Sequence, residues 1–293
     1  LPICAAIAAG RRRWRECDHI ARAGAREEHG VHHRRVALVE RAERAVVAVE
    51  RAALAAARDR QDPLAIYIAL FTSAQVAVVT GATGGMGREI IADLAGDYHV
   101  YALGRSAADL PKSESITPIA IDLVAGLDEG MALPELDRVD VLVHAAARAT
   151  KYSVEEATPE NWRAHMDLNV HAPAEVTRVL LPQLRKAEGT VVFINSGAGR
   201  HSYGDNVIYA ATKHALYALA DGLRISEPGI RVSTVAPGPT DTPMLQGLQD
   251  YDPSQVIAPA EVARAIRTVV EAGPTTQLTE IQVRPRIELS LRK

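Results

Sequence analysis

The sequence contains very little cysteine and no hydrophobic segment long enough to cross a membrane. Its only cysteines are Cys4 and Cys17, so the rest of the chain has no disulfide framework. No apolar run reaches the roughly 18–20 residues that a membrane span requires. The apolar residues 1–10 precede the arginines of residues 11–15, whereas a secretory signal carries its positive charge first. We therefore expect a cytoplasmic protein with no membrane partner.

Lysine is absent from residues 1–73, and the charge of this segment differs in sign from that of the remainder. The segment contains 13 Arg and 9 acidic residues, a net charge of +4, while the remaining residues contain 20 basic and 27 acidic residues, a net charge of −7. A negatively charged body is a poor match for the phosphates of nucleic acid. We therefore expect no nucleic-acid partner.

Residues 1–73 also lack the regular alternation of apolar and amphipathic segments that follows them. They are rich in Ala and Arg, and residues 36–60 are compatible with one long helix. Three interpretations remain open: a helical extension, a disordered arm, or sequence translated upstream of a true start near residues 71–75. The composition and the non-Met first residue favour the third. Cys17 and the histidines of this segment show no ligand spacing, so no metal site is predicted.

From residue 75 onward, short apolar runs alternate with amphipathic segments. Strands that are apolar throughout and separated by helices indicate a parallel sheet covered on both faces. This is the doubly wound α/β pattern, or Rossmann fold, and we predict one such domain over residues 74–293. The predicted strands are 75–80, 99–104, 116–121, 139–144, 190–195, 230–236 and 277–283, and the predicted helices are 86–94, 158–186, 209–223 and 261–272.

A glycine-rich loop follows the first predicted strand directly and opens the first predicted helix. This context distinguishes a dinucleotide-binding loop from a chance cluster of glycines. Gly81 permits the tight turn, Gly85 lets the backbone approach a pyrophosphate, and Gly87 allows close packing of helix on strand. The helix N-terminus adds amide donors and a positive dipole. The cofactor contacts predicted here are Thr80, Gly81, Thr83, Gly85, Met86 and Gly87.

The end of the second predicted strand indicates which dinucleotide binds. A site that selects NAD usually has Asp or Glu there for the ribose 2′-hydroxyl, but this chain has Gly104, Arg105 and Ser106. The guanidinium of Arg105 suits a 2′-phosphate instead. We therefore predict that NADP(H) is preferred over NAD(H), with Arg105 and Ser106 in contact with it. Asp122 and Leu123 are predicted cofactor contacts too, with Asp122 placed to accept a hydrogen bond from the adenine amino group.

Tyr209 and Lys213 are four residues apart and share one face of a predicted helix. The ammonium favours the phenolate, which is expected to bring the phenol's pKa, ordinarily near 10, toward working pH. Tyr209 is therefore a candidate proton donor or acceptor. The spacing alone is common on ordinary helices and carries weight only together with the glycine-rich loop.

In their order along the chain, these motifs resemble the short-chain dehydrogenase/reductase family of the single-domain type. The resemblance covers residues 75–293, about three quarters of the chain. Ser196 lies 13 residues before Tyr209, and Asn169 lies 27 residues before Ser196, both the usual intervals of the family. The resemblance implies an oxidoreductase that transfers hydride between NADP(H) and a small-molecule carbonyl or secondary alcohol.

The resemblance also implies a role for each of these side chains. Tyr209 would exchange a proton with the substrate oxygen, and Ser196 would hydrogen-bond the same oxygen. Lys213 would lower the pKa of Tyr209 and hold the nicotinamide ribose, and Asn169 would order a water that relays protons. A homodimer or homotetramer is implied as well. Further cofactor contacts implied by the family are Ala145, Ala146, Tyr209, Lys213, Pro237, Gly238, Thr240 and Thr242.

One segment departs from the family pattern. After the fourth strand the family usually has Asn-Asn-Ala-Gly, whereas this chain has residues His144–Ala147, with no glycine. This departure puts close approach of the cofactor in question, though not the fold. The main rival to an enzyme is a non-catalytic dinucleotide sensor or scaffold, because fold does not imply function. The presence of both Tyr209 and Lys213 favours the enzyme.

The substrate and the physiological direction of the reaction are not predicted. Residues 243–257 are the segment expected to contact the substrate. Met244, Leu245, Leu248 and Tyr251 indicate either a partly apolar pocket or a lid.

Overall fold

A computed structural model describes residues 75–202 and 204–287 of the chain. Within them, seven strands form one parallel sheet in the order β3-β2-β1-β4-β5-β6-β7. The strands are β1 (Val76–Thr80), β2 (His99–Gly104), β3 (Ile116–Ala120), β4 (Val141–His144), β5 (Thr190–Ile194), β6 (Arg231–Pro237) and β7 (Glu280–Val283).

Helices connect most of these strands, as is usual in a parallel sheet, while β2 and β3 are joined through the 3₁₀ turn Ala107–Asp109. The helices are α1 (Gly85–Leu94), α2 (Ala125–Glu129), α3 (Pro159–Met166), α4 (Ala172–Ala187), α5 (Val207–Ser226), α6 (Pro243–Gln246) and α7 (Pro259–Val270). Thr158 starts α3 because its hydroxyl accepts a hydrogen bond from the Asn161 amide. None of the helices in these residues is both long and apolar enough to span a membrane.

The sheet is buried on both faces, which explains why its strands are apolar throughout. Successive side chains of a strand point to opposite faces, so Val78 and Val79 belong to different cores. One core lies between the sheet and helices α1 and α7, and the other between the sheet and helices α4 and α5. Representative residues are Val79, Ile90 and Ile266 in the first core and Val78, Leu180 and Leu216 in the second. The predicted doubly wound α/β class is confirmed.

The strand order reverses between β1 and β4, and this reversal positions the site. The chain proceeds outward from β1 to β3 and then returns to place β4 on the other side of β1. The helices that follow these two strands pack on opposite faces of the sheet, α1 on one face and α4 on the other. In open α/β sheets, ligands bind at the carboxyl ends of the strands where the order reverses in this way.

The structure differs from the predicted elements in several places. The predicted helical stretch 158–186 is interrupted by a π-helical turn at Asp167–His171, and the short helices α2 and α6 were not predicted. Strand β7 begins at Glu280, three residues later than predicted, because the side chain of Gln277 rather than its backbone accepts from the Val232 amide. The predicted division at residue 73 and the interpretations of residues 1–73 lie outside the described residues.

Candidate active site

The glycine-rich loop between β1 and α1 folds tightly against the loop that follows β4. Gly81 has a φ of +66°, in the left-handed region, and a β-carbon there would lie 2.6 Å from the Ala146 nitrogen. A β-carbon at Gly87 would collide with the Gly81 carbonyl oxygen. Both positions therefore require glycine, which lets the loop pack closely on the residues after β4 and on the first turn of α1.

Thr80 joins this loop to the residues after β4. Its buried hydroxyl oxygen accepts hydrogen bonds from the amides of Ala145 at 3.2 Å and Ala146 at 3.3 Å. Ala145 and Ala146, two predicted cofactor contacts in the segment that departs from the family pattern, are therefore held beside the glycine-rich loop. The backbone of residues 145 and 146 therefore lies close to the glycine-rich loop although residue 147 is Ala, where the family usually has Gly.

His144 is the first residue of the segment that departs from the family pattern, and its contacts are with side chains of the core. The Thr177 hydroxyl donates to the Pro173 carbonyl, so it accepts from the Nε2–H of His144 at 2.9 Å. The ring of His144 stacks on that of Phe193 with centroids 4.9 Å apart. Burial lowers the pKa of His144 to about 3. His144 is therefore neutral and anchors the end of β4 to α4.

Gly85 connects the glycine-rich loop with the segment that follows β6. A β-carbon at Gly85 would lie 2.8 Å from Cγ2 of Thr242. Thr242 also begins α6, because its hydroxyl oxygen accepts from the Leu245 amide. Four of the predicted cofactor contacts, Pro237, Gly238, Thr240 and Thr242, line the same cavity as Met86.

The ends of β2 and β3 carry the residues predicted to select the dinucleotide. Arg105 and Ser106 are exposed immediately after β2, and the Leu103 carbonyl accepts from the Ala82 amide of the glycine-rich loop. Thr83 lies on the same side, because a β-carbon at Gly104 would lie 3.6 Å from its hydroxyl oxygen.

Asp122 follows β3 and its Leu123 neighbour is buried. The Asp122 Oδ1 atom accepts from the amides of Val124 at 2.9 Å and Ala125 at 3.3 Å, which fixes the start of α2. These contacts use one carboxylate oxygen. The side chain is exposed at the carboxyl end of the sheet, on the side where β2 also ends.

Lys213 is buried beneath the site, on the same helix as Tyr209. Its ammonium donates to the Ile194 carbonyl oxygen at 2.8 Å and lies 5.6 Å from the centroid of the Tyr209 ring. Burial lowers the pKa of Lys213 to about 7. Since this value is close to neutral, a buried lysine at this position exchanges its proton near physiological pH.

The pKa of Tyr209 departs from the sequence-based expectation. Burial raises it to about 12, and a hydrogen bond with Ser196 acts in the opposite direction. The predicted net lowering of this pKa is therefore wrong, because desolvation of the phenolate dominates. Tyr209 is a protonated phenol at neutral pH.

Ser196 is held in position by a neighbour that the motif analysis missed. The Asn195 side chain is buried; its Nδ2 donates to the Lys213 carbonyl at 3.1 Å, and its Oδ1 accepts from the Ser196 amide at 2.9 Å. Asn195 thereby ties the end of β5 to the middle of α5. The only sign of this role in the sequence is an Asn directly before Ser196 at the end of an apolar strand.

Asn169 lies in the π-helical turn and is almost fully buried. Its Nδ2 donates to the Arg148 carbonyl at 2.9 Å and to the Thr212 hydroxyl oxygen at 3.0 Å, while its Oδ1 accepts from the Arg148 amide at 2.8 Å. Both amide hydrogens are therefore engaged with protein groups. The side chain connects the loop after β4 to helix α5.

Ser196 and Tyr209 meet at one cavity of about 560 Å³. The predicted apolar residues Met244, Leu245 and Leu248 line it as well. Tyr251, by contrast, is not among the lining residues, and its hydroxyl donates to Asp241 at 2.6 Å. Lining residues that sequence reasoning did not single out include Lys151, Asp205 and Arg284.

Comparison with known proteins gives a consistent result. The family model for short chain dehydrogenase matches residues 75–252. A crystal structure from Corynebacterium glutamicum, assigned to the short-chain dehydrogenases/reductases, is 46% identical, with a TM-score of 0.56, and covers 72% of this chain and 100% of that one.

Two more distant structures have the same fold and were solved with cofactors. An alcohol dehydrogenase of Thermococcus sibiricus, complexed with 5-hydroxy-NADP, is 22% identical with a TM-score of 0.63 and covers 72% of this chain and 97% of that one. A 3-ketoacyl-(acyl-carrier-protein) reductase of Brucella melitensis, complexed with NADH, is 24% identical with a TM-score of 0.62 and covers 72% of this chain and 96% of that one.

Proposed function

The chain belongs to the short-chain dehydrogenase family and is an NAD(P)-dependent oxidoreductase, and from this premise we propose that it interconverts a carbonyl and a secondary alcohol, with Tyr209 as the general acid and base. The observation that carries the proposal is the meeting of Ser196 and Tyr209 at one cavity, with Lys213 buried on the same helix as Tyr209.

The described residues fit a nicotinamide dinucleotide. The loop at Gly81 and Gly87 has no room for side chains, and it leads directly into α1, whose N-terminal amides suit a pyrophosphate. Thr80 holds Ala145 and Ala146 beside this loop. When bound, the reduced cofactor supplies the hydride that the carbonyl carbon receives. We propose that the remaining contacts come from Met86, Pro237, Gly238, Thr240 and Thr242.

The proposed chemistry follows from the protonation states of the side chains. Because the pKa of Tyr209 is about 12, the phenol keeps its proton at neutral pH and is ready to donate it to a carbonyl oxygen. Ser196 donates a hydrogen bond to the same oxygen and stabilises the negative charge that develops there. Lys213 then favours the phenolate left by proton transfer, and in the oxidation direction each of these steps is reversed.

Asn169 and Asn195 are proposed to position these groups. Asn195 bonds to the Ser196 amide and the Lys213 carbonyl, and Asn169 bonds to Thr212, next to Lys213. Since proton transfer depends steeply on distance and alignment, such buried amides support catalysis without contacting the substrate. Proton relay through Asn169 remains a proposal.

NADP(H) is proposed as the preferred cofactor because Arg105 stands at the end of β2, where a site selecting NAD has an acid. Related structures contain either cofactor type, one an NADP derivative and one NADH. The proposal therefore depends on Arg105 itself. Cytoplasmic location and a homodimer or homotetramer also stay proposals; light scattering after size-exclusion chromatography measures the latter.

One experiment tests the enzymatic proposal. NADPH and NADH are titrated into the purified protein with fluorescence as the readout, and reduction of a panel of ketones is then assayed for the natural chain and for Tyr209→Phe. We expect Tyr209→Phe to bind dinucleotide within about threefold of the natural chain while kcat falls by about 10²–10⁴-fold. Equal kcat for both proteins would overturn the role of Tyr209. Failure to bind either dinucleotide would overturn the cofactor assignment, and a sensor or scaffold would then require a ligand of another kind.

A further inference from the structure

The turn that follows Ser196 packs against two buried side chains. The Gly199 amide, at the end of the 3₁₀ turn Gly197–Gly199, donates to the Ser196 carbonyl at 2.9 Å. A β-carbon on Gly199 would lie 2.7 Å from Oδ1 of Asn195 and 2.7 Å from Cε2 of Tyr217, a buried residue of α5. The course of the main chain after Ser196 therefore depends on where the Tyr217 ring lies.

The same turn fixes the side chain of Ser196. The Ser196 hydroxyl oxygen accepts from the Ala198 amide at 3.2 Å. Because the donor of this bond belongs to the turn, a displacement of the turn would move the hydroxyl as well. The position of the hydroxyl that meets the substrate oxygen in the proposed function is thus linked to the packing of Gly199 on Tyr217.

A carboxylate of β7 holds the Tyr217 ring. The Tyr217 hydroxyl donates to Oε1 of Glu280, the first residue of β7, at 2.8 Å, and the side chain of Gln282 donates to the same oxygen at 3.3 Å. Arg200, which directly follows the turn, donates to Oε2 at 2.9 Å, and its Cζ atom lies 3.7 Å from the centroid of the Tyr217 ring. Glu280 is therefore bonded both to the ring on which the turn packs and to the residue at which the turn ends.

The charge of Glu280 strengthens these contacts. Although burial acts to raise it, hydrogen bonds from Tyr217 and Arg200 lower the pKa of Glu280 below its ordinary value, so the carboxylate is ionised at neutral pH. The Arg200 side chain is 47% exposed, and exposed ion pairs add little stability. The bond from the Tyr217 hydroxyl is partly buried and charge-assisted, which makes it short and directional. We therefore expect the cluster to contribute more to local geometry than to the stability of the fold.

The cluster of Glu280, Tyr217 and Arg200 acts on the cavity from outside. None of the three is among the described residues that line the cavity, whereas Ser196 is. We propose that Glu280 is a positioning residue for the reaction, which holds the turn after Ser196 in place and so aims the Ser196 hydroxyl at the substrate oxygen. It acts through Tyr217 and Arg200. This inference rests on the proposed function, in which the Ser196 hydroxyl stabilises the charge that develops on that oxygen.

The test is a double-variant cycle between Glu280 and Ser196. Reduction of the ketone that the natural chain turns over fastest, chosen from the panel above, is measured together with dinucleotide affinity and the primary deuterium isotope effect on kcat. Tyr217→Phe keeps the ring and removes only its bond to Glu280, and Glu280→Gln keeps an acceptor for that bond. The variants are Glu280→Ala, Glu280→Gln, Tyr217→Phe, Ser196→Ala and the combinations of Ser196→Ala with the first three.

The control is Glu227→Ala, which breaks a comparable ion pair elsewhere in the chain. Glu227 accepts from Arg185 at 2.6 Å, and its side chain is 16% exposed. It follows the last residue of α5, whereas Tyr209 lies in the first turn of that helix, so the two are about 27 Å apart along the helix axis. Because of this distance, the control should leave kcat unchanged.

We expect Glu280→Ala to lower kcat by about 10-fold, because a misaligned donor loses part of the roughly 10²–10³-fold that removal of an oxyanion donor costs. Dinucleotide affinity should change less than about threefold, and the isotope effect should be at least as large as in the natural chain, since the chemical step is slowed. Glu280→Gln and Tyr217→Phe should each lose less, about threefold. In the Ser196→Ala background the same substitutions should change kcat less than about twofold, because the hydroxyl that they misalign is already absent.

Three results would overturn the inference: unchanged kcat in both Glu280→Ala and Tyr217→Phe, equal-fold losses with and without Ser196→Ala, or an isotope effect that disappears in Glu280→Ala. The second result would assign Glu280 to stabilising the fold in general. If Glu280→Ala does not fold, Glu280→Gln and Tyr217→Phe decide the cycle. If the natural chain binds dinucleotide but reduces no ketone, or Ser196→Ala keeps full activity, the proposed function itself fails and the inference with it. Both of these outcomes are seen without any change at Glu280, so they are distinguishable from the other three.

Discussion

Asn169 donates a hydrogen bond to the Thr212 hydroxyl at 3.0 Å, and Thr212 in turn donates to the Tyr209 carbonyl at 2.8 Å. This connection runs from the π-helical turn to the helix that carries the proposed proton donor. A π-helical turn inserts an extra residue into a helix and is often found at functional sites. Here it places a buried amide where it reaches both the loop after β4, through Arg148, and the first turns of α5.

The first prediction concerns Asn169. Replacement by Ala removes the partners of the Arg148 amide and carbonyl and of Thr212, so we expect about 2–4 kcal/mol of destabilisation in urea unfolding, with a fall in kcat. Thr212→Val removes one of these contacts and should cost about 1 kcal/mol. If Asn169→Ala loses activity with unchanged stability, Asn169 acts in the chemistry rather than in positioning.

The outcome at Asn169 shows how far sequence reasoning extends. Its spacing from Ser196 was enough to single it out, as apolar strands and the glycine-rich loop were enough for the fold. Its partners Arg148 and Thr212 are 21 and 43 residues away. No local pattern encodes such contacts between distant segments. Neither these partners nor the hydrogen bonds by which Asn195 links Ser196 to Lys213 were therefore predicted.

Arg284 and the pKa of Tyr209 were missed for related reasons. Arg284 follows the last strand with no motif around it, and its position beside Gly197 depends on how β7 aligns with β6. The spacing of Tyr209 and Lys213 correctly placed both on α5. It did not reveal how deeply the two groups are desolvated, and desolvation decides the direction of both pKa shifts.

The second prediction concerns the contact between Gly85 and Thr242. Gly85→Ala places a methyl group 2.8 Å from Cγ2 of Thr242, so one of the two loops must shift and dinucleotide affinity should fall by about tenfold. Thr242→Ser removes the opposing methyl group and keeps the hydroxyl that caps α6. The double variant Gly85→Ala/Thr242→Ser should therefore recover most of the affinity in a fluorescence titration.

Gly87→Ala provides the contrast for this experiment. Its added methyl group meets the Gly81 carbonyl oxygen, which is backbone, so Thr242→Ser should not rescue it. Equal rescue of both alanine variants would mean that the Thr242 side chain is not what limits space at Gly85.

The third prediction concerns Lys213 and pH. Its pKa is lowered from 10.5 to about 7 in the folded protein, so between pH 7 and 10.5 the unfolded chain binds more protons at this residue. Stability therefore rises with pH through this window, and the cost of burying the ammonium is fully present below pH 7. Lys213→Met lacks this dependence.

We expect the stability of the natural chain relative to Lys213→Met to increase by on the order of 3 kcal/mol from pH 6.5 to pH 9.5, measured by urea unfolding without added cofactor. Other groups titrate alike in both proteins and cancel in the comparison. A difference that stays constant with pH would show that Lys213 remains protonated in the folded protein.

The fourth prediction concerns the choice of dinucleotide. Arg105 is exposed at the end of β2, on the side of the glycine-rich loop. Replacement by Asp removes the cation proposed to meet the 2′-phosphate and supplies a carboxylate suited to the ribose hydroxyls. We expect the affinity for NADPH to fall by about 10- to 100-fold and the affinity for NADH to rise.

The control for Arg105→Asp is Arg163→Asp, which makes the same change of charge at an exposed arginine on α3. Because an exposed charge is screened within about 10 Å at 0.1 M salt, the control should leave both affinities nearly unchanged if the effect of Arg105 is local. Loss of NADPH affinity in Arg105→Asp alone would establish a direct contact with the 2′-phosphate. Tighter binding of NADH than of NADPH by the natural chain would instead overturn the NADP(H) preference, while the fold and the roles of Ser196 and Tyr209 would be unaffected.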